Sequence, residues 1–211
     1  GAGVTYKFVQ AYCEKYGYGE LYKKYQDLAA VGIIADAMDS RNLDNNYIIY
    51  HGLRNIHNPM LKALIDFRSY SISSVEKPNK IDIAWYIAPI INGLIRFGDM
   101  QQKRDFFYGL ANDTLTDTYE RISRGEFKQE TYYEKTAREA ANVKTQQDNA
   151  VKKLIPILEN RIESNGLDKN KIIICKTSKT DPNEVPKTVT GLVAMRLAVK
   201  YNRPVMVVRP V

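Results

Sequence analysis

Residues 171–208 read KIIICKTSKTDPNEVPKTVTGLVAMRLAVKYNRPVMVV. Lys171-Ile172-Ile173-Ile174-Cys175 is a short β-branched run, the composition of a buried strand. Thr190-Gly191-Leu192-Val193-Ala194-Met195-Arg196-Leu197-Ala198 has the length and pattern of a helix. Pro204-Val205-Met206-Val207-Val208 is a second strand. Strand, helix, strand predicts a parallel βαβ unit. Two parallel strands leave sheet edges and faces uncovered, so the reading expects the native domain to continue past Val211.

Working outward from that tail, the chain becomes helical. From about Thr114 to Asn165 it is charged and rich in Gln, Glu and Lys, with a sparse apolar stripe of Ala141, Val143, Ala150, Val151, Leu154, Ile157, Leu158 and Ile162. This predicts one or two long, partly exposed helices, with Gly166 as the stop. Further upstream, Val4, Phe8, Val9 and Tyr12 recur at helical spacing up to Gly17 and Gly19. A second helix is expected from Glu20 through the apolar run Leu28–Ala35, which should be buried on all sides. Asn42 or Asp44 can cap a third helix holding Ile48, Ile49 and Leu53. Asn58-Pro59 pairs an N-cap residue with Pro at the first helical position, starting a fourth. Residues 71–80 form a polar loop, and 82–110 is helical with Pro89 expected to kink or divide it. The fold class is therefore α/β overall, mostly helical, in three parts: 1–113, a connecting segment 114–166, and the βαβ start 167–211.

Composition narrows the function. Hydrophobic residues make up 44% and charged residues 26% of 211, an ordinary globular balance. The net charge of +7 and pI of about 9.2 favour anionic partners, nucleic acid first. The 15 tyrosines can stack on bases or fill the core. Cys13 and Cys175 form neither a disulfide framework nor a CxxC metal site, which makes a reducing compartment, the cytoplasm, the default. No apolar run approaches the ~18 residues of a membrane span. No Walker loop, GxSxG elbow, HExxH or zinc cysteine set occurs. Neither His51 nor His57 sits beside an Asp-His pair.

Asp36 is the most informative residue. It follows Ala29-Ala30-Val31-Gly32-Ile33-Ile34-Ala35, so its carboxylate emerges from an apolar run. A buried carboxylate needs a cation, a hydrogen-bond cage or a metal. From the local sequence alone, a helix cap or an Arg partner explains it more readily than a metal.

The stretch Ala29–Met38 resembles the fourth motif of the DHH phosphoesterases as the RecJ-like branch carries it: small apolar residues, Gly, two residues, then Ala-Asp. In that family the Asp ligates the catalytic divalent ions, so the resemblance implies that Asp36 is a metal ligand and a catalytic residue. Asp39 stands where RecJ proteins usually have Pro. Gly1-Ala2-Gly3-Val4-Thr5-Tyr6-Lys7-Phe8 resembles the element that follows the family's Asp-His-His triplet. Arg41-Asn42 with Gly52-Leu53 resembles the helix after the ligand Asp. Ile87–Gly98 resembles the element Pro-x-x-Asn-x-x-x-Arg-x-Gly, whose Asn and Arg face the cleft and whose Arg meets substrate phosphate. Asn92 and Arg96 are the matching positions, four apart on one helix face. An Arg fork suits phosphate. Thr188–Ala194 and Tyr201–Val205 resemble the start of the DHH-associated domain, whose Gly-rich nucleic-acid motif would lie past Val211.

The resemblance implies two Mn²⁺ or Mg²⁺ ions that activate a water and stabilise the phosphate under attack. It implies a single-stranded DNA substrate and a 5′-to-3′ exonuclease used in DNA repair and recombination. The family's other metal-binding motifs belong upstream of Gly1, so this segment alone is expected to be inactive. Lys135, Arg138, Lys144, Lys152 and Lys153 of the connecting helix can track phosphates or simply be solvated. Two alternatives remain: a phosphoesterase for oligoribonucleotides or cyclic dinucleotides, and a non-catalytic DHH-derived DNA-binding subunit.

Overall fold

A computed structural model describes residues 1–123, 125–177 and 184–209. The described chain is mixed α/β and mostly helical. It divides into two units, Gly1–Ala141 and Asn142–Val211. No helix among the described residues is long and apolar enough to cross a membrane.

The first unit is built around an all-round apolar helix. Helix α1 spans Ala2–Tyr16 and ends at Gly17, whose φ of 76° closes the last turn in the left-handed region. Its stripe of Val4, Phe8 and Tyr12 faces outward, while Tyr6 and Cys13 are its buried residues. After a 3₁₀ turn, Leu21–Tyr25, comes α2, Gln26–Ala35. Ala29, Ala30, Val31, Ile33 and Ile34 are all buried, because α1 and α3 (Leu43–Arg54) pack on α2 from two sides. Gly52 makes the α2–α3 contact close: a β-carbon there would lie 2.4 Å from the Gln26 carbonyl oxygen and 2.8 Å from Ala30 Cβ.

The expected caps are present. The Asn42 side chain accepts the Asn45 N–H at 3.1 Å, and Asn58 accepts the Leu61 N–H at 3.1 Å. Helix α4, Pro59–Phe67, buries Met60, Leu61, Leu64 and Ile65. The predicted loop follows, then a short α5, Lys80–Asp82, opened by an Asn79–Asp82 capping box. Pro89 acts as expected. It sits in the first turn of α6 (Ala88–Phe97), and the chain enters that helix through a π turn, Ile83–Ile87. A π turn relieves the clash and the missing donor that Pro brings to a helix. Helix α7, Met100–Ala111, packs on α4 and α6 and contributes the buried Phe106.

The connecting segment departs from the expectation. Residues 118–131 form an antiparallel hairpin, β1 (Thr118–Ser123) with β2 (Glu126–Thr131), instead of helix. Two six-residue strands flank Gly125, whose φ of 83° lets the turn close. The long helix is α8, Tyr132–Ser164, which carries Pro156 inside it. Gly166, at φ 63°, ends this region as predicted.

In the second unit, β3 (Ile173–Lys176) pairs in parallel with β4 (Val205–Val208), and α9 (Thr190–Tyr201) connects them. The βαβ reading holds. Ile173, Cys175, Val193 and Leu197 are fully buried, together with Val151, Leu158 and Ile162 of α8. Ile174, Met206 and Val208 face outward from the other side of the sheet. Both cysteines are buried and free, as expected.

Candidate metal and nucleic-acid site

The site is set by how α2 ends. The Met38 N–H donates to the Ile33 carbonyl at 3.1 Å and the Ala37 N–H to Ile34 at 3.0 Å. That is a Schellman turn with Asp36 as the cap residue. Its left-handed position holds Ala37, at φ 50°, where glycine is the usual occupant. The turn throws Asp36 out of the apolar run. Its side chain is exposed and has no hydrogen-bond or ion-pair partner among the described residues. The buried carboxylate that the sequence suggested at 36 is therefore a solvent-facing one, free on the protein side.

Gly32 decides what lies beside it. A β-carbon on Gly32 would lie 2.5 Å from Ala2 Cβ, so only glycine lets the start of α1 cross α2 here. The crossing brings Gly1 against the carboxylate, where a β-carbon at Gly1 would lie 3.6 Å from Asp36 Oδ2. The positive end of α1 favours an anionic side chain at that place. Together these elements enclose a pocket of about 550 Å³, lined by Gly1–Val4, Asp36, Met38, Asn42, Asp44, Asn45 and neighbours. Asp44 is already engaged, by Lys7 at 2.9 Å.

Asp39 is not a second open ligand. Arg41 grips it through Nε at 3.0 Å and Nη2 at 2.9 Å, and its backbone N–H adds a bond of 2.9 Å. Arg41 above all holds the Asp39 carboxyl below the usual carboxylate range, with help from Lys80. Among the described residues no group of three or more His, Cys, Asp or Glu comes together to hold a metal. His57 is exposed, and His51 packs its ring on Tyr47 and Tyr50. The side chains present thus supply one open carboxylate, too few by themselves for a divalent ion.

Asn92 and Arg96 lie on α6, which packs against α2. Both are exposed and neither has a hydrogen-bond or ion-pair partner among the described residues. They do not line the Asp36 pocket. Of the five cations that could track phosphate or simply be solvated, most are committed elsewhere. Arg138 binds Glu130 through Nε at 2.9 Å and Nη2 at 2.8 Å. Lys144 pairs with Asp148 at 2.5 Å, and Lys135 lies 4.2 Å over the Tyr119 ring. Lys152 and Lys153 remain as exposed positions. Arg138 and Arg121, in that order, hold the Glu130 carboxyl below its ordinary range.

The truly buried acids escaped the sequence reading. Asp27 and Asp82 both accept main-chain N–H groups, Asp27 from Leu28, His57 and Asn58, Asp82 from Ser73 and Asn79. Burial alone would raise the Asp82 carboxyl, but these bonds and the Ser73 hydroxyl outweigh it and hold it low. Both are anchors of the fold.

No family model matches the chain. It is 33% identical over 209 residues to the SPbeta prophage-derived protein YorK of Bacillus subtilis (strain 168), which carries the name single-strand DNA-specific exonuclease. The match takes in 99% of this chain and 35% of that protein. The single-stranded-DNA-specific exonuclease RecJ of the same strain is 25% identical over 207 residues, 98% of this chain and 22% of RecJ. The chain thus spans about a third or less of the length of these relatives. In structure it is similar to exonuclease RecJ bound to manganese, with a TM-score of 0.60 and 20% identity over 89% of this chain and 40% of that one. RecJ of Thermus thermophilus in complex with Mn²⁺ gives a TM-score of 0.58 and 20% identity, over 89% of this chain and 24% of that one. The RecJ-like resemblance covers nearly the whole chain in sequence, and the fold is similar to part of the RecJ fold.

Proposed function

We propose that these 211 residues are part of a RecJ-like exonuclease, a hydrolase that cleaves phosphodiester bonds of single-stranded DNA with Mn²⁺ or Mg²⁺. The observation that carries the reading is Asp36: an open carboxylate held at the end of a rigid apolar helix, against the start of α1, at the position matching a family metal ligand. In this reading Asp36 is one ligand of a larger metal set, since among the described residues no group of three or more ligands gathers and one carboxylate does not hold two ions. The bound ions supply Lewis-acid stabilisation of the phosphate. What this chain itself does is fix the direction of Asp36 through the Schellman turn and keep it clear of internal cations. Arg96 holds a nearby substrate phosphate by its planar fork, and Asn92 one turn earlier supports it.

Residues 1–113 then belong to the phosphoesterase domain, 114–166 connect, and 167–211 open the substrate-binding domain. The single-strand specificity named for the relatives, the basic charge and the two free thiols favour a DNA substrate in the cytoplasm; cleavage from a 5′ end is what the RecJ-like resemblance implies. The test is degradation of 5′-labelled single-stranded and duplex DNA by the full-length protein containing this segment. Release from the single strand with Mn²⁺, stopped by a chelator, is expected. Binding without cleavage identifies a non-catalytic subunit, and preference for oligoribonucleotides or cyclic dinucleotides a small-substrate phosphoesterase; either result refutes the proposal.

A further inference from the structure

On the other side of α3 from Asp36 lies a second pocket of about 420 Å³. The same helix walls both. Asn45 and Ile48 line the Asp36 pocket, while Asn46, Ile49, Tyr50, Leu53 and Arg54 line this one. Its far wall is the loop before α5, with Lys77, Pro78 and Asn79, and Lys80 at the start of that helix. The size falls within the ~300–1,000 Å³ typical of small-ligand sites.

Three cations, Arg54, Lys77 and Lys80, line the pocket, and no carboxylate does. Among the described residues none of the three has an acidic ion-pair partner within 4 Å; Lys80 donates instead to the Ser40 hydroxyl at 2.5 Å. Asp39, whose carboxyl also feels Lys80 through space, is gripped by Arg41. Clustered like charges repel unless an anion joins them. The Arg54 guanidinium lies 4.2 Å over the Tyr50 ring, which restrains its plane and leaves its edge donors available. The floor is apolar: Ile49, Leu53 and Pro78 are buried in the protein but border the cavity. A site with cations above and an apolar floor fits a ligand with a phosphate at one end and a sugar and base at the other.

We infer that this pocket is a nucleotide subsite, in which Arg54, Lys77 and Lys80 hold a phosphate of the single strand and Ile49, Leu53 and Pro78 receive the adjoining nucleoside. The inference rests on the exonuclease reading for the strand as its source, but not on the metal at Asp36. Its position across α3 places the subsite beside the candidate metal pocket, where a strand running past Asp36 has a further nucleotide to seat.

The test is calorimetric titration of the 211-residue protein, in EDTA, with thymidine monophosphate, thymidine, inorganic phosphate and a short oligothymidylate. Thymidine monophosphate is expected to bind at least about tenfold more tightly than phosphate or thymidine alone, since each supplies half of the contacts. The exposed pair Lys77→Ala/Lys80→Ala should weaken that binding about tenfold or more without changing the circular dichroism spectrum. The oligothymidylate should bind more tightly than the monophosphate and show the same loss. Absence of monophosphate binding, equal binding by the variant, or a requirement for Mn²⁺ would overturn the subsite. Binding of the monophosphate with exclusion of the oligonucleotide would overturn the strand assignment. Because the chelator removes metal, failure here leaves the Asp36 reading standing, and failure of Asp36 leaves this result standing.

Discussion

The buried carboxylate of Asp27 accepts the Asn58 main-chain N–H at 2.7 Å, and through the same oxygen the His57 N–H at 2.7 Å. Asn58 in turn caps α4 and donates its side-chain amide to the Leu110 carbonyl at 2.9 Å. One acid in the first turn of α2 thus holds the start of α4 and, through Asn58, the end of α7. Removing it leaves main-chain donors buried without an acceptor. Asp27→Ala should destabilise the first unit by about 2–4 kcal/mol, because charge-assisted bonds are lost and their donors stranded. Thermal unfolding followed by circular dichroism checks this; an unchanged midpoint contradicts it.

Gly32 is there because Ala2 lies on it. Gly32→Leu should push α1 off α2, at a cost of about 1–3 kcal/mol from overpacking. It should also separate Gly1 from Asp36, which a spectroscopic distance between labels at the two places would read. Unchanged distance and stability would show that the crossing does not depend on glycine.

Ala37 carries the opposite lesson. At φ 50° its β-carbon is strained, and Ala37→Gly should stabilise by about 1 kcal/mol. Strain retained beside a candidate site fits a turn selected for the direction of Asp36. A stabilised variant is the predicted result of chemical denaturation; a destabilised one would mean the turn is not under strain.

Glu130 makes the hairpin's attachment pH-dependent. Arg138 and Arg121 lower its folded pKa from an ordinary value of 4.5. A lowered carboxyl stabilises the fold above its unfolded pKa, and that contribution is lost as pH falls through the lower folded value. Glu130→Gln should therefore cost about 1–3 kcal/mol at neutral pH. The difference from the unmodified protein should shrink as pH falls below about 4.5. Amide exchange of β1 and β2 across that range measures it; a pH-independent difference would contradict the assignment.

How far the sequence foretold these features depended on distance along the chain. The caps at Asn42 and Asn58, the stops at Gly17 and Gly166, the break at Pro89 and the βαβ tail are each written within a few residues, and each was legible. Asp27 was not, because its partners are 30 and 31 residues away. The hairpin was missed because its polar composition matches the charged helix that follows. The signal was Gly125 between two runs with alternating Tyr119, Arg121 and Ser123 half-buried. The exposure of Asp36 was misjudged, because a Schellman turn with Ala in the glycine position has no sequence signature. The commitment of Arg138 to Glu130 was equally hidden, since the hairpin that presents Glu130 was not foreseen.

We propose above that Asp36 is a metal ligand of a single-strand-specific nuclease. The most direct measurement is Mn²⁺ binding and single-stranded DNA degradation by the full-length protein carrying Asp36→Ala, beside the unmodified protein. The variant is expected to fold, because Asp36 has no partner among the described residues to lose. It is also expected to lose about 10²-fold or more in metal affinity and activity together, as removal of a metal's own ligand should exceed the roughly 10–100-fold typical of outer-shell changes. A folded Asp36→Ala protein that binds Mn²⁺ and degrades single-stranded DNA at the unmodified rate would contradict the proposal.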